Sequence, residues 1–452
     1  MLFIAVLFIL TTFYTILGFI ASKKVQSSAD YFLAGRDLGL FPVTATLIAT
    51  QIGGAMLLGT SENAYLYGLY GLLYTIGMIG GFIALGCGIA SRLQSLQVAT
   101  TAAIFEKKYR SITLKKIASL LSILTLCGIL IGQIVGSRSI IENIKISTGN
   151  ELIFICFWLL VIIYTMVGGL KAVVITDIFQ VLLIIAVFIG IFIYSLLFGP
   201  AIAWKEVMNI QSSYFGSVPL NLNIILATLV MPALFSLIEQ DLAQRFFAAR
   251  NKKIATISAF LSGLFMICFA LVPIYFGMVA KIIGLPIAIG KSPLIPIIEY
   301  LTNDFVVVLS LCAIIAAITS TADSLLCAIS SNIAQDFTSA DTTPLSLARS
   351  QWITLIAGIS ALIGSYIVPQ NVIEIMIDSY AISVNCLLVP LLWAYFSKTV
   401  SKRAAYSSII TGLMGMMIVP FIPETLPKAI LPLCFSTIGY VIAYYIPDKI
   451  DK

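Results

Sequence analysis

The sequence predicts an all-α polytopic membrane protein with about 13 transmembrane helices, because apolar runs of roughly 20 residues recur along its length. Of the 452 residues, 60% are hydrophobic and only 10% are charged, and the mean hydropathy is +1.07. The apolar runs extend from the first residue to nearly the last. We expect residues 1–452 to form a single transmembrane domain, because no loop between the runs is long enough to fold alone.

The first predicted span covers residues 2–21. No basic segment precedes it and no small-residue cleavage site follows it, so we expect a retained helix rather than a signal peptide. The spans after it are predicted at 41–60, 65–90, 117–140, 151–169, 178–199, 222–245, 254–283, 304–329, 351–369, 372–396, 404–422 and 428–446.

The basic residues predict the orientation of these spans, because short cytoplasmic loops carry an excess of Lys and Arg. With the N-terminus outside, 20 of the 26 basic residues fall on the cytoplasmic side. The other six fall outside or near the outer ends of helices: Arg138, Lys145, Lys205, Lys281, Lys291 and Lys428. We therefore expect a multi-pass protein of the cell membrane (inner or plasma membrane) with a cytoplasmic C-terminus.

Composition excludes several classes of function. The net charge of +6 is spread over many loops without interleaved aromatic residues, which argues against nucleic acid as a partner. The chain has no histidine, and its eight cysteines lie within predicted spans without CxxC spacing. Neither HExxH nor GxSxG occurs, so an intramembrane enzyme is disfavoured and no cofactor is expected.

A cluster of polar residues interrupts the apolar run in "AAITSTADSLL". On a helix, Ser320, Asp323 and Ser324 share one face and Thr321 lies on its flank. Polar groups are costly inside a bilayer, and a set of oxygen atoms suits a hard cation such as sodium. The alternative is that the hydroxyls bond back to carbonyls of their own helix and that Asp323 caps a helix end.

Helix-breaking residues occur in the second and the seventh predicted spans, which are five spans apart. Gly53 and Gly54 weaken the helix of "TATLIATQIGGAMLLGT", and Pro232 breaks that of "MPALFSLIEQDLAQRFFAARNKK" early. Two interrupted helices at matching positions are typical of transporters built from inverted repeats. For Gly-Gly alone, close helix packing is the alternative. The expected division is a first repeat at 41–199, a second at 222–396, an extra helix at 2–21 and two more at 404–446.

Acidic residues lie in two further stretches. In "YTMVGGLKAVVITDIFQ" a turn holds Lys171, and Asp177 either caps the next helix or adds a second carboxylate to the Ser320 cluster. Asp241 and Arg245 are spaced for a local ion pair that we expect to be structural, with Arg245 among the cytoplasmic basic residues. Glu239 has no such local partner.

Together these stretches resemble the sodium:solute symporter family, in the family's order and at similar spacings. The likeness covers most of the chain and includes "DYFLAGRDLG" before the first broken helix and "QDLAQRFFAAR" in the second. The resemblance implies a leucine-transporter fold, a five-plus-five inverted repeat with additional terminal helices. It also implies symport of a small solute with Na+ as the coupling ion, by alternating access.

The resemblance also implies ligands for the ion, with sodium as the sole metal. For the first sodium site these are the carbonyls of Ala49, Ile52 and Ala317 and the hydroxyls of Ser320 and Thr321. Some members hold a second sodium, whose positions match Asp177, Ser320, Asp323 and Ser324. Residues implied to line the substrate pocket are Thr50, Gln51, Gly54, Met56, Phe235 and Glu239, with Phe235 where sugar-carrying members place an aromatic gate.

The motif sequences are most similar to those of the choline-transporter branch of the family. That branch, however, has Trp at the positions of Gln51 and Glu239. Quaternary ammonium groups are bound by aromatic faces, so these differences favour a polar solute with an ammonium group facing Glu239. An amino acid or other zwitterion is the preferred substrate class. Choline, a vitamin, an organic acid and a sugar are the alternatives.

Other functions stay open at the level of the sequence. A proton-coupled carrier of the same fold would use Asp177 and Asp323. An ion channel would need a continuous pore, and a sensor would normally carry a signalling domain. The expected partners are the solute, Na+ and membrane lipid; a monomer is sufficient, and the oligomeric state is not predicted.

Overall fold

The computed structural model describes residues 2–142, 150–199, 222–288, 290–337, 346–368, 372–423 and 427–446. In these ranges the first half of the chain forms α1 (Leu2–Ser22), α2 (Ser28–Leu33), α3 (Leu40–Gln51), α4 (Thr60–Tyr67), α5 (Leu72–Ala84), α6 (Ala90–Leu96), α7 (Ala102–Tyr109), α8 (Ile112–Glu142) and α9 (Asn150–Phe198). The second half forms α10 (Leu222–Ser236), α11 (Gln240–Ala248), α12 (Lys252–Ile282), α13 (Leu294–Leu301), α14 (Asp304–Asp336), α15 (Leu347–Gly364), α16 (Val372–Phe396), α17 (Lys402–Ile418) and α18 (Leu431–Tyr445).

The helices agree with the predicted membrane protein. Within the described ranges, 10 stretches are long and apolar enough to cross a membrane, and α3 and α18 are shorter apolar helices. One of these stretches, Glu151–Phe198, covers two predicted spans, and another, Ala55–Leu96, joins the end of the span 41–60 to the whole of the span 65–90. The all-α polytopic fold is thus confirmed, and the total of about 13 crossings, each of roughly 20 residues, stays a prediction.

The first broken helix is interrupted where the glycine pair predicts. Helix α3 ends at Gln51, Ile52 leaves the helical path with φ −81° and ψ 66°, and a π-helical turn at Ala55–Gly59 leads into α4. A side chain on Gly53 would not fit, because a Cβ there would lie 2.7 Å from the Thr321 hydroxyl oxygen. The break therefore brings the backbone of residues 49–54 close to α14.

The second break lies elsewhere than predicted. Pro232 stands inside α10, and the helix ends at Ser236. A proline removes one backbone donor from a helix, a loss that neighbouring groups compensate in a membrane protein. The interruption falls at residues 237–239, where Glu239 has an extended backbone (φ −60°, ψ 124°) before α11 begins. Glu239 is thus at the break itself, between α10 and α11.

The turn predicted around Lys171 is also absent from the structure. The only non-helical backbone described inside α9 is at Gly169, with φ 53° and ψ −149°, and the chain is helical again from the next residue. Glycine adopts this left-handed φ at little cost, so a single residue suffices for the bend. Asp177 therefore lies about two turns inside the second half of α9 and does not cap it.

Helix α14 forms the centre of the molecule. Every residue from Cys312 to Asn332 is buried, including the whole polar stretch 319–324. Helices α1, α3, α8, α9 and α15 pack around it. The last two helices, α17 and α18, pack mainly on each other and on α16. A polar cluster on α14 is thus enclosed by protein and not by lipid, which is the condition for polar groups at membrane depth.

Candidate ion and solute site

The hydroxyls of Ser320 and Thr321 join α14 to the end of α3. Ser320 Oγ lies 2.9 Å from the carbonyl oxygen of Ala49 and 2.9 Å from that of Ala317. Thr321 Oγ1 lies 2.9 Å from the carbonyl oxygen of Thr50 and 3.2 Å from that of Ala317. Both hydroxyls are buried. Each hydroxyl has a single hydrogen and two carbonyl acceptors within reach, one on α3 and one on α14. Carbonyl oxygens of the two helices thus surround the pair of hydroxyls.

Four of the five residues predicted for the first sodium site thus meet in the structure. The fifth, Ile52, is buried at the point where α3 ends, and its non-helical ψ of 66° turns its carbonyl away from the helix axis. Neutral hydroxyl and carbonyl oxygens are the ligands that suit a hard monovalent cation. The close approach at Gly53 leaves the Thr321 oxygen directly beside the broken backbone. The residues present therefore fit sodium.

Two of the residues predicted for a second sodium, Asp177 and Ser324, contact Arg245. The Arg245 side chain is completely buried and its Nη2 lies 3.5 Å from Asp177 Oδ2. Nη2 also donates to the hydroxyl of Ser324, Nε donates to Thr46 Oγ1 at 3.0 Å, and Nη1 donates to the carbonyl oxygen of Asp241 at 2.7 Å. Asp177 and Ser324 thus share a cation that the protein itself supplies.

This arrangement differs from the local pair expected between Asp241 and Arg245. Arg245 contacts the main chain of Asp241, while Oδ1 of Asp241 accepts from the amide of Leu242 at 3.0 Å. The guanidinium pairs with Asp177 because α11 packs against α3 and α14, which turns Arg245 into the protein. Arg245 is therefore a buried residue of the core, not part of the surface cluster of basic residues.

Asp323 faces a different helix from the other predicted ligands. Its carboxylate accepts from the hydroxyl of Tyr164 and, at 2.8 Å, from that of Thr165, both on α9. Ser324, the next residue, donates to the carbonyl oxygen of Ser320 at 2.8 Å and lies 2.9 Å from Thr50 Oγ1. The structure therefore divides the predicted second set between two faces of α14.

The two breaks face each other through Gln51 and Glu239. Gln51 Nε2 donates to Glu239 Oε2 at 3.4 Å, across the gap between α3 and α11. Asp241, two residues further along the chain, is also buried. Phe235, at the end of α10, stacks on Tyr380 of α16 with ring centroids 4.4 Å apart. The Tyr380 hydroxyl lies 3.1 Å from that of Tyr74 on α5.

The other predicted pocket residues are more enclosed. Thr50 is buried and bonds to Thr46 and Ser324, so its side chain points to α14. Met56 is buried in the π-helical turn. The amide of Gly54 donates to Gln133 Oε1 at 3.3 Å. Gln133 was not predicted, although a buried glutamine within the apolar run of α8 is the signal that could have identified it.

Segment 28–38 contacts both α9 and α11. Tyr31 donates to the carbonyl oxygen of Met166 at 2.8 Å, and Gln244 donates to that of Phe32 at 2.7 Å. Lys171 pairs with Asp30 at 2.9 Å and donates to the carbonyl oxygen of Lys24. This pair, with help from Ser27 and the Gln26 amide, holds the pKa of Asp30 below its usual value. The segment thus ties α9 and α11 together.

The family model of the sodium:solute symporter family matches residues 31–412 of this chain. The chain belongs to the sodium:solute symporter family. The resemblance inferred from the motifs is thereby confirmed. Among curated relatives of this family, the "High-affinity choline transporter 1" of Drosophila melanogaster is 24% identical over 344 residues and that of Torpedo marmorata is 26% identical over 342. The alignments cover 71% and 69% of this symporter-family chain, and 54% and 56% of the relatives, so the chain spans little more than half their length.

Solved structures share the fold of this family member. A Na+-coupled sialic acid symporter, in a substrate-bound outward-open state, matches with a TM-score of 0.80 at 17% identity, over 98% of this chain and 96% of that one. A nucleobase-cation-symport-1 family transporter in a closed conformation with bromovinylhydantoin bound matches with a TM-score of 0.60 at 13% identity, over 92% and 93%. The fold is that of the leucine-transporter type, as the motifs implied.

Proposed function

We propose that this protein is a sodium-coupled symporter that imports a small polar organic solute by alternating access. The observation that carries the proposal is the contact of the Ser320 and Thr321 hydroxyls with the carbonyl oxygens of Ala49 and Thr50. The contact joins the broken helix to the central helix through groups that bind sodium well. Membership of the sodium:solute symporter family supports the same activity. The role is transport and not enzymatic catalysis.

Coupling follows from the position of this contact between two helices. A sodium ion bound by Ala49, Ile52, Ala317, Ser320 and Thr321 would hold the end of α3 against α14. When the ion leaves, those oxygens lose their common partner and the two helices are freer to separate. An ion shifts a conformational equilibrium only by the difference in its affinity for the two states. Sodium release on the cytoplasmic side would therefore favour the state that opens there.

The solute is proposed to carry an ammonium group. Glu239 places a carboxyl group between the two breaks, and Gln51 bonds to it from the facing helix. The stacked rings of Phe235 and Tyr380 supply an aromatic face nearby. A carboxylate beside aromatic faces suits a cationic group. An amino acid or other zwitterion is the preferred class, and choline, which the two relatives' names mention, is the principal alternative.

The proposed arrangement of the chain is an inverted repeat with the N-terminus outside. The repeats would be 41–199 and 222–396, and Lys24, Arg36 and Lys171 would face the cytoplasm. Lys171 bonds to Lys24, so these two basic residues lie at the same end of the molecule. A protease-accessible tag at each terminus tests this orientation. In intact cells, cleavage at the N-terminus alone is expected, and cleavage at the C-terminus would contradict the orientation.

Proton coupling is a second candidate, because Asp323 is buried and bonds to two hydroxyls rather than to a cation among its described contacts. The two mechanisms predict different driving forces. Sodium coupling requires uptake to follow a sodium gradient at constant pH. Uptake driven by a pH gradient in sodium-free buffer would support the proton.

Thermal stability of the purified protein in sodium against potassium buffer tests the sodium site. Sodium at a hundredfold excess over its Kd should stabilise the wild type by about 2.7 kcal/mol. The double variant Ser320→Ala/Thr321→Ala should lose this difference. Ser330→Ala is the matched control, because Ser330 is a buried serine of the same helix that bonds to its own Leu326 carbonyl. Equal stability of the wild type in both buffers would refute the sodium proposal.

The same assay identifies the solute when candidates are added in sodium. Amino acids, other zwitterions and choline should be tried, and a compound that adds a sodium-dependent shift is a substrate candidate. Glu239→Gln should abolish the shift for an ammonium compound, whereas Glu151→Gln, which removes an exposed carboxylate paired with Arg138, should not. A substrate that binds Glu239→Gln as tightly as wild type would remove the charge argument.

A further inference from the structure

We infer that Arg245 is the resident cation of the predicted second ion site, so that this protein binds one sodium ion and not two. The inference rests on the proposed function for its first sodium. It concerns the set Asp177, Ser320, Asp323 and Ser324, which the family resemblance offers as a second site. The residues present do not fit a second sodium, because a guanidinium already contacts Asp177 and Ser324, two of the four groups that would bind it.

Burial makes Arg245 a fixed part of this site. Its side chain and that of Asp177 are both 0% exposed. A buried arginine stays charged and is costly unless it is paired and fully hydrogen-bonded. Here all three guanidinium nitrogens have acceptors, on Thr46, Asp241 and Ser324. The cost is thus offset by contacts to three different helices, α3, α11 and α14.

The hydrogen bonds account for the side-chain oxygens that contact Arg245, while Asp177 Oδ1 is buried without a hydrogen-bond partner among the described residues. Ser324 gives its hydrogen to the Ser320 carbonyl and accepts from Arg245. Thr46 gives its hydrogen to Asp177 Oδ2 and also accepts from Arg245. The lone pairs that a sodium ion would need on Ser324 and on Asp177 Oδ2 therefore face a positive group instead.

Asp323 does not supply a substitute. Its two carboxylate oxygens accept from Tyr164 and Thr165 on α9. A sodium ion drawn to Asp177 would lie beside the guanidinium, and two like charges at such a distance in a buried site repel strongly. One cation per site is therefore the stable occupancy, and the protein provides it.

A tethered cation has a different consequence from a bound ion. Arg245 belongs to α11, the helix that follows the second break, and pairs across to Asp177 of α9. A sodium ion can diffuse away during each cycle, whereas the guanidinium moves only with α11. The second site thus acts as a positioning contact between α11, α9 and α14, and only the first site responds to the sodium concentration.

Counting bound sodium tests the inference. Radioactive sodium binding at saturation to the purified full chain should give one ion per wild-type protein. Arg245→Gln leaves Asp177 without its cation, so it should bind two ions and show a larger stability difference between sodium and potassium than wild type does. Arg245→Lys, which keeps a positive charge, should still bind one.

A neutral double variant keeps the test decisive if Arg245→Gln does not fold. Arg245→Gln/Asp177→Asn removes both charges, and it should bind one ion, as wild type does. A wild-type count of two that falls to one in this double variant would overturn the inference and leave the proposed sodium coupling intact. A wild-type count of zero with one ion in Arg245→Gln would support the tethered cation and refute sodium coupling. Zero in both would refute both proposals.

Discussion

Single hydroxyl groups decide the chemistry of this protein at the scale of the residue. In the polar stretch of α14, the hydroxyls of Thr319, Ser320, Thr321 and Ser324 all contact carbonyl oxygens of their own helix. The alternative considered from the sequence, back-bonding within one helix, thus occurs at each of them, but Ser320 and Thr321 also reach carbonyl oxygens of α3. The hydroxyls that cross to α3 are the ones that carry the sodium proposal.

The aromatic pair beside Glu239 gives a prediction about solute binding. Tyr380→Leu removes the ring that stacks on Phe235, whereas Tyr380→Phe keeps the ring and removes only the hydroxyl near Tyr74. For an ammonium compound we expect the Leu variant to lose about 1 kcal/mol of binding free energy, roughly fivefold in Kd, and the Phe variant to lose less. Titration of the solute-dependent thermal shift measures both. Equal losses would mean that the hydroxyl matters and the ring does not.

At the scale of the element, glycine positions allow the helices to break and to approach. Gly53 leads to a direct prediction, since a Cβ there would lie 2.7 Å from Thr321 Oγ1. Gly53→Ala should push the broken segment away from α14 and remove the stabilisation by sodium. Gly80→Ala on α5 is the control, because nothing lies within 4 Å of a Cβ at that position. Unchanged sodium stabilisation in Gly53→Ala would show that this contact does not form the ion site.

The bend in α9 gives a second prediction at this scale. Gly169 has a φ of 53°, and a Cβ would lie 2.5 Å from the carbonyl oxygen of Tyr31. Gly169→Ala should destabilise the protein by about 1 to 3 kcal/mol, because alanine is strained in this conformation. Gly190→Ala in the same helix should instead stabilise by about 0.5 to 1 kcal/mol. Thermal unfolding of both variants in detergent measures this, and similar midpoints would contradict the assignment of the bend.

At the scale of the whole molecule, segment 28–38 joins helices from the two halves of the chain. It contacts α9 through Tyr31 and Lys171 and α11 through Gln244. A backbone bridge from Leu38 to Ala249 continues the contact. These two helices can move apart only if the segment separates from at least one of them. The ion pair of Asp30 and Lys171 is the part of this contact that is simplest to change.

Removal of that ion pair should loosen the segment. Asp30→Asn should cost about 0.2 to 1 kcal/mol, since the pair is partly exposed. Hydrogen exchange of residues 28–38, followed by mass spectrometry, should become severalfold faster. Asp37→Asn, which breaks a more exposed pair with Arg250, is the control and should have a smaller effect on the rest of the segment. Equal exchange rates in the two variants would show that the Asp30–Lys171 pair does not hold the segment in place.

The same pair predicts a pH dependence. Because the pKa of Asp30 in the folded protein is lowered, chiefly by Lys171, its contribution is fully present above the unfolded value of about 4. It is lost as the pH falls through the lowered pKa. Protection of residues 28–38 should therefore be constant near neutral pH and decrease only under acidic conditions. The range from pH 6 to pH 8 lies about two pH units or more above the pKa of an aspartate carboxyl group, so a decrease in protection there would contradict this origin.

The sequence by itself determined the features that are local in the chain. Apolar segments of membrane-spanning length predicted the all-α membrane fold, and the glycine pair at 53–54 predicted the position of the first break. Residues three and four apart on one helix share a face, so the oxygen cluster of α14 was visible before any contact was known. The motifs then indicated the family, which the profile match confirmed.

Only the tertiary structure decided which distant groups meet. Arg245 lies 199 positions from Thr46, and Gln51 lies 188 from Glu239, so no local spacing indicates either pair. Hydrogen-bond partners inside a membrane protein are chosen by the packing of whole helices, because a buried charge must find compensation wherever the fold provides it. For this reason the sequence paired Arg245 with its neighbour Asp241, and the packing of α11 against α3 and α14 brought it to Asp177 instead.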